Sequence, residues 1–87
     1  MKVRVLFFAR LREQLGSSGE EMELSAESAT VAQLRAQLAS RGDAWRDALE
    51  GPQSSRLRVA VNQDMAAPDR VLKAGDEVAF FPPVTGG

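Results

Sequence analysis

The side chains that most often carry covalent chemistry are missing from this chain. Its 87 residues include no Cys, no His and no Tyr. That removes thiol nucleophiles, imidazole bases, disulfides and any Cys/His zinc site. The remaining unusual reactive candidate is the α-carboxylate of Gly87, at the end of the run Phe80-Phe81-Pro82-Pro83-Val84-Thr85-Gly86-Gly87. Gly86 and Gly87 lack a Cβ, so a narrow slot could admit their backbone and leave the carboxylate sterically open. Pro82 and Pro83 fix φ and have no N–H, so they cannot extend a sheet ladder and favour an extended path away from the body. A bare Gly-Gly end alone is also what an ordinary loose terminus looks like. The diproline and the apolar run behind it make the case for a reactive tail. Asp43, Asp47 and Glu50 form the other group of titratable residues, but without metal-loop spacing they read as a solvated helix face.

The elements that must position such a tail are those of one small domain. The chain is 44% hydrophobic and 26% charged, a globular composition. A net charge of −1 gives no general attraction to nucleic acid or an anionic membrane. No apolar run approaches the roughly 20 residues of a membrane-spanning helix. The start, Met1 to Phe8, is basic and apolar but lacks a long apolar core region, and its alternation signals a strand rather than a leader. A cytoplasmic protein with no bound metal or cofactor is expected.

Residues 2–8 alternate, with Val3, Val5 and Phe7 on one face and Lys2, Arg4, Leu6 and Phe8 on the other. Leu11 and Leu15 lie one helical turn apart, with Gly16 as a C-terminal stop. A second strand is expected near 20–25, with Met22 and Leu24 inward and Glu21 and Glu23 on a solvated edge surface. Thr30-Val31-Ala32-Gln33 fits a capping box, and the stripe Val31, Leu34, Leu38 predicts the main helix near 30–41, ended by Gly42. Asp43 is expected to cap a short helix in which Trp45 is a packing plug. Residues 56–62 alternate, with Leu57, Val59 and Val61 inward and Arg56, Arg58 and Ala60 outward. Asn62-Gln63-Asp64 suits a tight turn into a short strand at 65–67, stopped by Pro68. Residues 71–76 read as a turn-rich approach to the last strand, 77–81, with Val78 and Phe80 inward.

One long helix over a mixed sheet is an α+β, β-grasp pattern with short accessory helices. The first and last strands then run parallel at the sheet centre. Leu6, Phe8, Ala79 and Phe81, with Ala60 nearby, gather on the uncovered face, rimmed by Arg4, Arg56 and Arg58. An apolar cluster beside the tail's exit reads as a partner site, with Phe8 and Phe81 substantially exposed. Residues 1–81 form the β-grasp body and 82–87 the extended tail.

The run Gly75 to Gly87 closely resembles the end of the small, sulfur-carrying subunits of molybdopterin synthase. Val5-Leu6-Phe7-Phe8-Ala9, Leu11-Arg12-Glu13 and Ala60-Val61-Asn62-Gln63 also match, and length and element order agree. Between about Gly16 and Ser55 only the pattern matches. The resemblance implies a ubiquitin-like β-grasp protein whose Gly87 is adenylated by an ATP-dependent activating enzyme. A sulfur donor protein then converts it to a thiocarboxylate. It implies that Gly86, Thr85 and Val84 thread the active site of a large subunit, within a heterotetramer, where sulfur passes to cyclic pyranopterin monophosphate. It places Phe8, Arg12, Met65 and Phe81 against that subunit. Two other classes share the fold and the Gly-Gly end: thiamine-pathway sulfur carriers, usually shorter and without Phe-Phe-Pro-Pro, and ubiquitin-like protein modifiers.

Overall fold

The computed structural model describes residues 1–25, 29–51 and 57–82. Strand β1, Lys2–Phe7, buries Val3, Val5 and Phe7 and turns Lys2 and Arg4 to solvent, as its alternation requires. Helix α1, Arg10–Leu15, sends Leu11 into the core and ends at Gly16, which is left-handed (φ 67°, ψ 25°) and donates its N–H to Arg12 O. Strand β2, Gly19–Glu23, pairs antiparallel with β1 at the sheet edge. A Cβ on Gly19 would sit 2.6 Å from Val5 O, so only glycine allows this close pairing at Leu6.

The two-residue strand β3, Ala29–Thr30, leads into helix α2, Val31–Ala39. Both capping-box bonds form: Gln33 N–H donates to Thr30 Oγ1 (3.2 Å), and Thr30 N–H donates to Gln33 Oε1 (2.8 Å). Val31, Leu34, Leu38 and Ala39 are buried under the sheet. The helix stops earlier than expected, with Ser40 as its C-cap. Gly42 instead precedes helix α3, Asp43–Glu50, as its N-cap. Asp43 is therefore the first helical residue and makes no side-chain cap bond, contrary to expectation. A glycine in the short connection between two helices can serve either end, and the chain reversal decided which. Arg35 Nε donates to Leu49 O (2.8 Å), tying α2 to the end of α3. Burial lowers the Arg35 guanidinium below its ordinary value, opposed by the charge of Glu50.

Strand β4, Arg58–Val61, and strand β5, Asp64–Met65, form a hairpin whose two loop residues, Asn62 (φ 51°) and Gln63 (φ 73°), are both left-handed. Met65 was expected to open its strand but is instead the second residue, paired with Ala60. Strand β6, Val71–Leu72, was not anticipated: it pairs with β3 in a separate two-stranded ladder where only turns were expected. Two residues are too few to display a period. Strand β7, Glu77–Phe81, completes the main sheet, in the order β2-β1-β7-β4-β5, with β1 and β7 parallel. No helix among the described residues is long and apolar enough to cross a membrane.

The core lies between the sheet and the helices. Phe7 and Phe80 stack there (6.2 Å between centroids, 24° between planes), and the edge of Trp45 closes on Phe7 at 5.6 Å. Trp45 also carries the Arg41 guanidinium over its ring at 4.9 Å, while Arg41 pairs with Glu20 on β2.

The start of β7 is clamped by Asn62. Its Oδ1 accepts from Glu77 N–H (3.0 Å), its Nδ2 donates to Asp76 Oδ1 (2.9 Å), and Asp76 Oδ2 accepts from Lys73 N–H (2.8 Å). Asn62→Ala removes two bonds and leaves a left-handed residue without the asparagine's tolerance for that region. We expect a loss of about 1–2 kcal/mol in urea unfolding, with the slope unchanged.

Candidate functional site

The register fixes what the helix-free face of the sheet presents, row by row. Nearest the start of β7 the row is polar: Glu21, Arg4 and Glu77 are successive partners. The next is apolar across all five strands: Gly19, Leu6, Ala79, Ala60 and Met65. Ala79 and Ala60 offer only methyl groups, so they form a low floor between Leu6 and Met65. In the last row Phe81 stands opposite Arg58, and Phe8, whose N–H donates to Phe80 O (3.2 Å), flanks it from the end of β1. The chain then leaves at Pro82. The face is thus polar at the start of β7, apolar across its middle, and aromatic with one flanking arginine, Arg58, beside the exit of the chain.

Exposure on this face is uneven. Phe8 is 46% and Met65 59% exposed, far above what apolar side chains of this size show in a core. Phe81, expected to be equally open, is only partly exposed: it stands opposite Arg58 of β4, with Phe8, just past the end of β1, on its other side. Ala60 is on the expected face yet is 7% exposed, a methyl sheltered between Ala79 and Met65. Arg12 lies on the exposed surface of α1, which follows Phe8 and packs beside β7. Among the described residues Arg4, Arg12 and Arg58 have no carboxylate within 4.0 Å. The structure thus brings Phe8, Met65 and Phe81 to one face, with arginines at its margins. Val84, Thr85, Gly86 and Gly87 lie outside the described residues, as does Arg56.

Among the described residues no group of three or more Asp or Glu side chains is placed to hold a metal ion. Asp43, Asp47 and Glu50 are all exposed on α3. Sequence reasoning missed one position at the site: Ala9, between Phe8 and α1, has φ 54° and ψ −128°. Alanine carries no turn signal; the abrupt change from strand to helical spacing was the only hint.

A mixed five-stranded sheet of this order, with its main helix across one face, defines a ubiquitin-like β-grasp protein. The chain belongs to the ThiS family, whose model matches residues 5–87. It is 47% identical to the molybdopterin synthase sulfur carrier subunit of Escherichia coli K12, over 98% of this chain and 99% of that one. The crystal structure of SAMP1 from Haloferax volcanii superposes with a TM-score of 0.84 at 30% identity, covering all of both chains. A chain in the complex of subunits 1 and 2 of molybdopterin-converting factor from Helicobacter pylori superposes with a TM-score of 0.68 at 25% identity, again over both full lengths.

The neighbouring phenylalanines separate core from surface. Phe80→Ala should cost the free domain about 3–5 kcal/mol. Phe8→Ser and Met65→Ser should each change stability by about 0.5 kcal/mol or less. Urea unfolding of the three variants checks both statements.

Proposed function

We propose that this chain is the sulfur-carrier subunit of a molybdopterin synthase. A β-grasp body, residues 1–81, docks on a large subunit through Phe8, Met65 and Phe81, with Arg12 and the neighbouring arginines meeting carboxylates at the rim. The tail, 82–87, delivers sulfur into that subunit's active site. The observation that carries this reading is that the exposed apolar anchors gather at the end of the sheet where the chain departs toward Gly-Gly. Likeness over the full length to the Escherichia coli sulfur carrier subunit, and to a chain seen in complex with a second subunit, supports it.

The chemistry follows from the groups the chain has and lacks. A carboxylate is a poor acyl donor because oxide is a poor leaving group. An activating enzyme joins the Gly87 carboxylate to the α-phosphorus of ATP, and pyrophosphate leaves. A persulfide from a donor protein displaces AMP at the carbonyl carbon, and a thiol then cleaves the acyl disulfide, leaving Gly87 as a thiocarboxylate. Gly86, Thr85 and Val84 thread the slot behind it, and Pro82 and Pro83 hold the tail away from the body. In the large subunit the sulfur passes to cyclic pyranopterin monophosphate, and two such transfers build the dithiolene. The chain contributes a reactive end and a docking face within a cytoplasmic sulfurtransferase heterotetramer. It needs no bound cofactor of its own, ATP being consumed by the activating enzyme.

Intact-mass analysis after incubation with activating enzyme, ATP and sulfur donor should show one oxygen replaced by one sulfur, placed on Gly87 by fragmentation. A chain lacking Gly87 should keep its fold and lose sulfur transfer. An unmodified terminus beside a verified activating enzyme overturns the reading. Phe81→Ala should weaken binding to the large subunit by about 2 kcal/mol or more. A second reading, protein modification, draws on the likeness to SAMP1. Lysine-linked conjugates of this chain in a lysate supplied with activating enzyme and ATP would favour it.

A further inference from the structure

Ala9 holds a backbone conformation, φ 54° and ψ −128°, that its methyl group disfavours. The chain does use glycine at other positive-φ turns, such as Gly16 at the far end of the same helix. The only other described non-glycine residues with positive φ are Asn62 and Gln63. Asn62 and Gln63 form a two-residue hairpin loop, where positive φ is usual, whereas Ala9 takes its positive φ immediately after Phe8, an exposed apolar residue of the candidate face. Strain of this kind persists only where the surroundings over-determine it.

The surroundings at Ala9 are identifiable. On one side Phe8 N–H is held by Phe80 O (3.2 Å). On the other, Leu11 is buried, its N–H donates to Phe8 O (3.2 Å), and Arg12 N–H donates to Ala9 O (3.1 Å). With both flanks pinned, the single residue between them absorbs the reversal from strand to helix. Helix α1 is only six residues long, has no side-chain cap at its N-terminus, and buries only Leu11. Leu15 packs partly buried against the same core, so this short helix is held by two side chains and by the turn that starts it.

We infer that Ala9 is a positioning residue: the population of its strained turn sets how firmly Phe8 and Arg12 are held on the docking face. This rests on the proposed carrier function for the identity of the partner, but not for the behaviour of the free chain. Glycine at position 9 removes the steric penalty and deepens the present conformation. A β-branched residue there raises the penalty and favours opening of α1, with Phe8 and Arg12 released together. A partner that binds the closed face then binds more weakly in proportion to the fraction closed.

The test uses the full chain with Gly, Ala or Val at position 9. Amide hydrogen exchange on the free chain reads the N–H groups of Arg12 and Ser17, which bond to Ala9 O and Arg12 O. Ala9→Gly should slow them about 3–10-fold and Ala9→Val should speed them at least as much, while Phe80 in β7 changes far less. Affinity for a molybdopterin synthase large subunit should fall for Ala9→Val by the same ratio as the closed fraction read from the exchange series, and be kept for Ala9→Gly. Exchange in the glycine variant equal to or faster than in the parent overturns the inference. So does weaker binding by the valine variant with unchanged exchange, which would mean direct contact at position 9. If the parent chain itself fails to bind the large subunit, the carrier reading fails, and the exchange series still decides whether Ala9 holds the turn.

Discussion

The parallel pairing of β1 with β7 is the constraint on which the rest depends. Val5 opposes Val78 and Phe7 opposes Phe80, and all four side chains are buried. Parallel neighbours cannot be joined by a tight turn, so everything from Phe8 to Asp76 is the crossover, and α2 covers the sheet as part of it. Because side chains alternate, holding Phe7 and Phe80 inward forces Leu6, Ala79 and Phe81 outward. A one-residue slip would bury Phe81 and expose Phe80. The exposed apolar face is therefore the other side of the core's own register, not a separate feature laid on the surface.

The two ends of this strand pair differ. At the start of β7, Gly75 N–H donates to Lys2 O (2.8 Å), Arg4 N–H to Asp76 O (2.9 Å), and the Asn62 side chain binds Glu77 and Asp76. Polar side chains crowd that end, and its backbone groups are paired. At the other end the β1–β7 contacts finish with Phe8 N–H on Phe80 O, and the aromatic row stands beside the departing chain. The end that must be fixed is stitched with hydrogen bonds. The end that presents the apolar anchors is held by fewer bonds, Phe8 N–H on Phe80 O and Leu11 N–H on Phe8 O, and by the burial of Leu11, which together keep Ala9 in its strained turn.

Such a body suits the proposed function, in which the reactive group is the chain's own carboxylate. With no thiol or imidazole of its own, the chain depends on other proteins for every bond made or broken in the proposed cycle. What it must supply is a rigid platform with a defined face, and a tail that departs from one end of that face. Burial of 18 apolar residues, among those described, in one cluster provides the platform. Placing Ala60 and Ala79 between larger side chains leaves a shallow surface that a partner can approach closely.

Much of this was legible in the sequence because period and punctuation carry direct physical meaning. Alternation at residues 2–7 and 77–81, the Thr30–Gln33 box and the stop at Gly16 each express a local rule, and each formed. The outward set Leu6, Phe8, Ala79 and Phe81 followed from alternation plus the β-grasp order. Tertiary structure alone decided the rest. The β3–β6 ladder joins Ala29 and Thr30 to Leu72 and Val71, far along the chain, with no period to read. The degree of burial of Phe81 depends on which strands flank it, and whether Gly42 ends one helix or begins the next depends on the chain reversal. The positive-φ turn at Ala9 is imposed from both sides, by Phe80 on Phe8 and by the buried Leu11. A residue forced into a conformation it does not favour cannot announce it through its own propensity.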